Sequence, residues 1–161
     1  MIVGITGHQR LKNSEAWDWV SKRLETEVCA LSSPWVGLSS LAIGTDQLFA
    51  GIVLKYGGRL RVIVPNEKYE ESFAPGPEHN RYMELLRQAS EVTVLAGTSS
   101  EQESYLEAGK RIVKESDQLF AVWDGEPAKG LGGTGDIVSY ACSLGKRVVH
   151  INPSLRVVEL K

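Results

Sequence analysis

The segment DQLFAVWDGEPAKGLGGTGDIVSYACSLGKRVVHI, residues Asp117–Ile151, decides the fold because two short apolar runs flank one helical pattern. Leu119–Trp123 and Val148–Ile151 have the length and apolar character of buried strands. Between them, Ile137–Leu144 has apolar residues at helical spacing and is followed by Gly145, a typical C-terminal cap. Strand, helix and strand in this order predict one βαβ unit with parallel strands.

A glycine-rich loop, Gly130-Leu131-Gly132-Gly133-Thr134-Gly135-Asp136, connects the first strand of this unit to its helix. Glycine lets the backbone turn tightly and lets a ligand approach the main-chain N–H groups. The helix adds unpaired N–H donors and the positive end of its dipole. Because this combination binds anions, we predict a phosphate site at Gly132, Gly133, Thr134 and Gly135. The alternative is a flexible surface loop without a ligand.

Composition indicates one globular domain, since the 161 residues are 42% hydrophobic and 24% charged. The net charge of -2 and the pI near 5.9 make nucleic acid an unlikely partner, because general nucleic-acid binders are usually basic. No apolar run is long enough to span a membrane, and no signal peptide precedes the first strand. We therefore expect a cytoplasmic protein with no membrane partner.

The cysteines and histidines point away from a disulfide and from a metal site. Cys29 and Cys142 each lie on the apolar face of a predicted helix, which predicts two buried free thiols and agrees with a cytoplasmic location. His8, His79 and His150 lack the spacing of metal ligands, so we expect no metal site.

Short apolar runs alternate with helical patterns along the rest of the chain, and residues 66–79 are predicted as a loop with one helical turn. The earlier strands are Ile2–Thr6, Trp35–Leu41, Leu60–Val64 and Val92–Leu95. This alternation predicts an α/β fold, a Rossmann-like three-layer sandwich with a parallel sheet, as a single nucleotide-binding domain over residues 1–161. Right-handed crossovers limit the topology, and we choose the strand order 3-2-1-4-5-6.

Ligands of such sheets bind beyond the carboxyl ends of the strands, where the strand order reverses, here between predicted strands one and four. Backbone N–H groups and threonine hydroxyls suit phosphate or ribose oxygens, and an arginine can approach an anion from the side opposite the glycine loop. The candidate binding residues after the first two strands are Gly7, His8, Arg10, Gly44 and Thr45.

Three carboxylates, Asp46, Asp124 and Asp136, are the candidate catalytic groups. An aspartate repels a bare phosphate, but it suits a ribose hydroxyl, a Mg²⁺ ion or the cap of a helix. Capping and ligand contact both stay open for Asp46 and Asp136. Mg²⁺ with a bound nucleotide is the one cofactor that the sequence leaves open.

Two common nucleotide-binding classes do not match. The glycine loop lacks the third glycine of G-x-G-x-x-G, because Val138 stands at that position. Gly145-Lys146-Arg147 ends a helix, whereas the Gly-Lys of a Walker loop starts one. The motifs therefore disfavour a classical dinucleotide dehydrogenase and a P-loop NTPase.

Several short motifs occur together along nearly the whole chain: GITGHQR at Gly4–Arg10, GTD at Gly44–Asp46, AVWDG at Ala121–Gly125, GGTG at Gly132–Gly135, Tyr140-Ala141 and Gly145-Lys146. In this combination the chain resembles the SLOG superfamily, the Rossmann-like group of DNA-processing protein A and the LOG proteins, and within it a small branch with a similar strand-one turn. The resemblance implies a sensor or binding module for a nucleotide-like ligand, with the phosphate at the glycine loop, and a tendency to self-associate. Trp17 and Trp19 are candidates for the interface of such a homo-oligomer, and the helical spacing of its apolar neighbours favours a core position for Trp17.

The resemblance leaves catalysis open. LOG phosphoribohydrolases have P-G-G-x-G-T-x-x-E, whereas this chain has Asp136 in place of the Thr and Ser139 in place of the catalytic Glu. The chain is also similar to nucleoside 2-deoxyribosyltransferases, which use a carboxylate nucleophile, but Ile137 or Val138 stands at that position. The alternative function is therefore cleavage or transfer at an N-glycosidic bond, with Asp46, Asp124 or Asp136 as the carboxylate. A DNA-processing accessory role is a third hypothesis, against which the acidic charge counts.

Overall fold

A computed structural model describes residues Met1–Lys161. Seven strands and five α-helices follow one another along the chain, and a 3-10 helix at Tyr69–Ser72 occupies the segment predicted as a loop with one helical turn. The elements are β1 (Ile2–Gly7), α1 (Ala16–Cys29), β2 (Val36–Ser39), α2 (Thr45–Lys55), β3 (Arg59–Val64), α3 (Pro77–Gln88), β4 (Glu91–Val94), α4 (Glu101–Glu115), β5 (Gln118–Val122), α5 (Thr134–Ser143), β6 (Arg147–Asn152) and β7 (Val157–Leu160).

All strands form one sheet with the order β4-β3-β2-β1-β5-β6-β7. The first six pair in parallel, and β7 is antiparallel to β6. The predicted α/β fold with a parallel sheet is therefore confirmed. No helix combines the length and the apolar character that a membrane span requires.

The predicted order 3-2-1-4-5-6 differs from the structure in the position of β4. This strand lies outside β3 at the edge of the sheet, and β5 takes the place beside β1. Burial explains the difference, because Val92 and Val94 of β4 are 42% and 51% exposed whereas every residue of β5 is buried. An exposed short strand suits an edge, and a fully buried one suits the centre of a parallel sheet. The seventh strand was not predicted.

The helices cover both faces of the sheet. On one face, α1, α2 and α3 pack over β1 and β5, with Phe49 of α2 edge-on to Phe120 of β5 at 6.1 Å between ring centroids. On the other face, α4 and α5 pack through Ile112 and Ile137 against Leu119 and neighbouring strand residues. Each face therefore has its own apolar core, and the three-layer arrangement leaves the loops at the ends of the strands free for function.

Two thiols lie outside these cores. Cys29 is the last residue of α1 and Cys142 lies in the last turn of α5, and both are exposed and free. The prediction of buried thiols is wrong because each cysteine lies one residue beyond the last buried residue of its helix, Val28 in α1 and Ala141 in α5.

One glycine is required by the close packing of α2 on β2. A Cβ atom on Gly37 would overlap Cγ2 of Val53 and lie 3.1 Å from Cε1 of Phe49. Neither neighbour can move freely, because Val53 and Phe49 are completely buried. The interior of a strand otherwise disfavours glycine, so steric fit and not backbone conformation selects it at this position.

We predict that Gly37→Ala lowers the free energy of unfolding by about 1 to 3 kcal/mol, because overpacking a tight core costs more than a better strand former contributes. Urea denaturation of the wild type, Gly37→Ala, Val53→Ala and the double variant measures the effect. The double variant should lose less unfolding free energy than the sum of the losses in the two single variants. Strict additivity would contradict the steric explanation.

Candidate functional site

A cleft of about 710 Å³ opens at the carboxyl ends of β1 and β5. The strand order reverses between these two strands, since β2, β3 and β4 lie on one side of them and β6 and β7 on the other. Parallel α/β sheets bind ligands at such a reversal. The cleft is lined by the turn after β1, the loop after β5, the first turns of α5 and the facing side of α4. Gly7, His8, Arg10 and Gly132–Gly135 all line it.

The turn after β1 is supported from behind by the start of α2. The Thr45 hydroxyl donates to the His8 carbonyl oxygen at 2.8 Å, and the Thr45 N–H donates to the same oxygen at 3.3 Å. Gly44 has φ +83°, and a Cβ on it would overlap the Gln9 carbonyl, while a Cβ on Gly7 would lie 2.5 Å from Thr45 Cγ2. Gly44 and the completely buried Thr45 therefore lie behind the turn and do not line the cleft.

Asp46 is buried at the inner edge of the cleft. Its Oδ2 accepts from the Ser39 hydroxyl at 3.0 Å and from the Ser40 N–H at 2.9 Å. Burial raises the pKa of Asp46 to about 6, although the hydrogen bonds from Ser39 and Ser40 act in the opposite direction. This carboxylate therefore fixes the backbone at the end of β2. Because burial disfavours its charged form, ionisation of Asp46 lowers the stability of the folded state.

His8 and Asp124 face each other across the ends of β1 and β5. His8 Nε2 lies 3.2 Å from Asp124 Oδ1 and 3.3 Å from the Asp124 backbone nitrogen, which donates to it when the ring is neutral. Lys12 Nζ lies 3.7 Å from Asp124 Oδ2. Burial raises the pKa of Asp124, but the Glu126 N–H, His8 and Lys12 outweigh it, so the pKa is lowered overall. Asp124 is therefore an ionised carboxylate at neutral pH.

The glycine loop is closed by Asp136 and leaves two N–H groups unpaired. Asp136 Oδ2 accepts from the Gly132 N–H at 3.0 Å, and the Gly133 N–H donates to the Gly130 carbonyl at 3.3 Å. The N–H groups of Thr134 and Gly135 have no acceptor in the protein, and both residues line the cleft. Asp136 is not part of the lining, and its carboxylate holds the glycine loop through the Gly132 N–H.

Basic side chains surround the cleft, including three that the sequence analysis did not single out. Lys12, Lys129 and Arg156 line it together with Arg10, against the acidic Asp46, Asp124 and Glu126. Arg10 forms a two-pronged ion pair with Glu78 at 2.8 and 3.1 Å and is largely exposed. Only Lys129 carries a local sequence signal, because it directly precedes the glycine loop. Arg156 lies in the turn between β6 and β7 and lines the cleft from there. It could not be singled out from the sequence because β7 was not predicted.

Tyr69, Tyr82 and Tyr105 differ in their access to the cleft. Tyr69 and Tyr82 are buried against one another and against Phe73, at 5.7 Å between the two tyrosine centroids, so they serve packing. Tyr105 of α4 lines the cleft. The structure contains no group of three or more His, Cys, Asp or Glu residues that could hold a metal ion.

No protein-family model matches the chain, and no curated protein matches it. Several solved structures do match the chain. DNA processing protein A (DprA) from Streptococcus pneumoniae has a TM-score of 0.66 and 16% identity over 92% of this chain and 49% of its own. DprA from Helicobacter pylori, solved for its single-stranded DNA binding mode, has a TM-score of 0.66 and 16% identity over 93% of this chain and 64% of its own. The structural genomics target TM1055 has a TM-score of 0.58 and 16% identity over 91% of this chain and 71% of its own.

These neighbours, each 16% identical, share a Rossmann-like fold with this chain, while membership of the SLOG superfamily and of one of its branches stays a prediction. The chain spans about half the length of the Streptococcus pneumoniae protein. The neighbours also correct one expectation, that nucleic acid is an unlikely partner, because a protein of this fold binds single-stranded DNA. Net charge is a poor guide here, since a chain of charge -2 still places four basic side chains around one cleft.

We predict a pH-dependent stability from Asp46. The folded state binds its proton more tightly than the unfolded state, so the contribution to stability is present below the ordinary pKa of 3.8 and is lost as the pH rises through about 6. Between pH 4 and pH 7.5 the wild type should lose roughly 2 kcal/mol of unfolding free energy relative to Asp46→Asn, at about 1.4 kcal/mol per pKa unit. Urea denaturation of both proteins at each pH measures this difference, and a difference that stays constant would contradict the raised pKa.

Proposed function

We propose that the cleft binds a nucleotide or a nucleotide-derived ligand, with its phosphate at the start of α5. The observation that carries this proposal is the pair of unpaired N–H groups of Thr134 and Gly135, two residues that line the cleft where the strand order reverses. Unpaired N–H groups at a helix start, together with the helix dipole, favour a bound phosphate. The Thr134 hydroxyl makes no hydrogen bond within the protein and is a third donor.

The charges around the cleft support an anionic ligand. The basic side chains that line the cleft, Arg10, Lys12, Lys129 and Arg156, outnumber the acidic ones, Asp46, Asp124 and Glu126. Arg10 is held by Glu78 at the rim, whereas Lys129 adjoins the glycine loop. Partial desolvation in a cleft strengthens the attraction between such cations and a phosphate relative to bulk water.

Asp124 supports a sugar next to the phosphate. An ionised carboxylate accepts hydrogen bonds from ribose hydroxyls, and Asp124 is held in place from three sides. The Glu126 N–H donates to its Oδ1 at 3.0 Å, His8 contacts the same oxygen, and Asn152 Nδ2 donates to its main-chain oxygen at 3.2 Å. A fixed carboxylate loses little entropy when a ligand binds.

The same carboxylate defines the alternative function, cleavage or transfer at an N-glycosidic bond. Of the three candidate carboxylates, Asp46 is buried with a raised pKa, and Asp136 is bound to the Gly132 N–H outside the lining. Asp124 is ionised and faces the cleft beside His8. If the protein is an enzyme of this class, Asp124 is the residue that can stabilise positive charge at, or attack, the anomeric carbon.

We predict that Thr134→Pro weakens the binding of mononucleotides by about 10- to 100-fold, because it removes one N–H that contacts the charged phosphate. Proline is tolerated at the first helical position, and the preceding residue, Gly133, already has the extended ψ of 168° that proline requires. Thr134→Ala removes only the hydroxyl and is the matched control, with an expected loss of roughly threefold.

Isothermal titration with AMP, GMP, CMP and UMP tests this prediction, and thermal unfolding verifies that both variants remain folded. A single-stranded DNA oligonucleotide is titrated in parallel. Equal affinities of folded Thr134→Pro and Thr134→Ala would rule out the phosphate contact at the Thr134 N–H.

A separate assay decides whether the protein is also an enzyme. If incubation of the wild type with mononucleotides releases the free base, Asp124→Asn should abolish this release while Asp136→Asn retains it. Chromatography of the free base gives the readout. Release by the wild type that persists in Asp124→Asn would exclude Asp124 as the catalytic carboxylate, and the absence of release from every mononucleotide would identify a binding module for these ligands.

A further inference from the structure

Two of the four basic side chains that line the cleft have no acidic partner. Arg10 lies 2.8 Å and Lys12 lies 3.7 Å from a carboxylate oxygen. Lys129 and Arg156 line the same cleft, are exposed, and form neither a salt bridge nor a side-chain hydrogen bond. Glu126 is the one exposed acidic side chain of the lining, and it also lacks a charged partner. Two cations in the cleft are therefore free to contact an anionic ligand.

The turn that carries Arg156 is fixed to the main chain of Asp124 by a buried asparagine. Asn152 Oδ1 accepts from the N–H groups of Ser154 and Leu155, each at 3.0 Å. Asn152 Nδ2 donates to the Asp124 carbonyl oxygen at 3.2 Å. Asn152 is only 4% exposed, and these bonds use both ends of its amide. The backbone of this turn is therefore held against the loop after β5, beside the carboxylate proposed to bind the sugar.

The backbone of Arg156 has a conformation that favours glycine. Its φ is +53° in the four-residue turn between β6 and β7. A left-handed backbone brings Cβ close to a carbonyl oxygen, so glycine and asparagine are the common residues at such positions. Arginine at this position therefore lowers stability, and strained residues of this kind cluster at ligand sites. The conformation supports a ligand-binding role for the side chain.

A first phosphate has its own donors at the start of α5. These are the N–H groups of Thr134 and Gly135 and the Thr134 hydroxyl, with Lys129 in the loop that precedes them. Arg156 belongs to a separate element, the turn after β6. A guanidinium binds a phosphate through two parallel hydrogen bonds, and this one is exposed on an anchored turn. It is therefore available for a second phosphate.

We infer that Arg156 binds a second phosphate group of the ligand, so that the cleft prefers a nucleotide with two phosphates to a mononucleotide. This inference rests on the proposed nucleotide binding. The second phosphate can belong to a 5′-diphosphate or to the 3′-oxygen of the sugar, since a guanidinium recognises either through the same oxygens. A 5′-monophosphate leaves the guanidinium without an anion and binds more weakly.

The test compares the 5′-monophosphate, the 5′-diphosphate and the 3′,5′-bisphosphate of one nucleoside, chosen for the mononucleotide that binds best. In isothermal titration at one salt concentration, the wild type should bind one of the two doubly phosphorylated nucleotides at least about 10-fold more tightly than the monophosphate. Arg156→Gln should reduce this preference to about threefold or less and change the affinity for the monophosphate by less than about twofold.

Arg147→Gln is the matched control. It removes the same charge from an exposed position at the start of β6, outside the lining of the cleft, and should keep the preference. Arg156→Gly separates a ligand contact from a role in the turn, because glycine adopts φ +53° without strain. This variant should lose the preference without a lower melting temperature.

The nucleotide that shows the preference identifies the position of the second phosphate. If the wild type binds neither doubly phosphorylated nucleotide more tightly than the monophosphate, or if Arg156→Gln weakens all three equally, the inference is wrong; a loss of monophosphate binding in Thr134→Pro then leaves the proposed function standing. Loss of the preference in Arg156→Gly together with a lower melting temperature would assign the side chain to the turn and overturn the inference. If the wild type binds none of the nucleotides, both are wrong.

Discussion

The site depends on one contact, the donation of the Thr45 hydroxyl and N–H to the carbonyl oxygen of His8. It fixes the turn after β1 on the start of α2, while the His8 N–H donates to Val122 at 3.1 Å and holds the turn to β5. His8 therefore meets Asp124 in a defined orientation. The contact is possible only because Gly7 and Gly44 have no side chains, since a Cβ on either would collide with the opposite segment.

Residues that look suited to ligand binding can serve the frame of the site instead. Gly44, Thr45 and Asp46 have the composition of a phosphate or ribose motif, yet they hold the turn of β1 and the end of β2 from behind. A helix start needs small residues, hydroxyls and carboxylates for the same reason that a phosphate site does, because both present unpaired N–H groups. Sequence alone cannot separate the two uses.

Local patterns predicted the local structure well and the long-range arrangement less well. The βαβ unit around the glycine loop and the parallel sheet follow from spacing over a few residues. The place of β4 depends on which strand buries more surface, which is decided by helices distant in sequence. Arg156 was missed for the same reason, since it lies in no motif and only the turn between β6 and β7 brings it to the cleft.

The three candidate carboxylates show why position near a motif does not define chemistry. Asp46 is buried away from solvent, and this burial raises its pKa. Asp136 closes the glycine loop through the Gly132 N–H. Asp124 keeps enough donors and positive charge around it for its pKa to fall despite partial burial. A carboxylate that must stabilise a cationic sugar has to be ionised and accessible, and a carboxylate that only holds the protein together need not be accessible. By this physical criterion Asp124 is the only one of the three candidate carboxylates that fits the proposed alternative function.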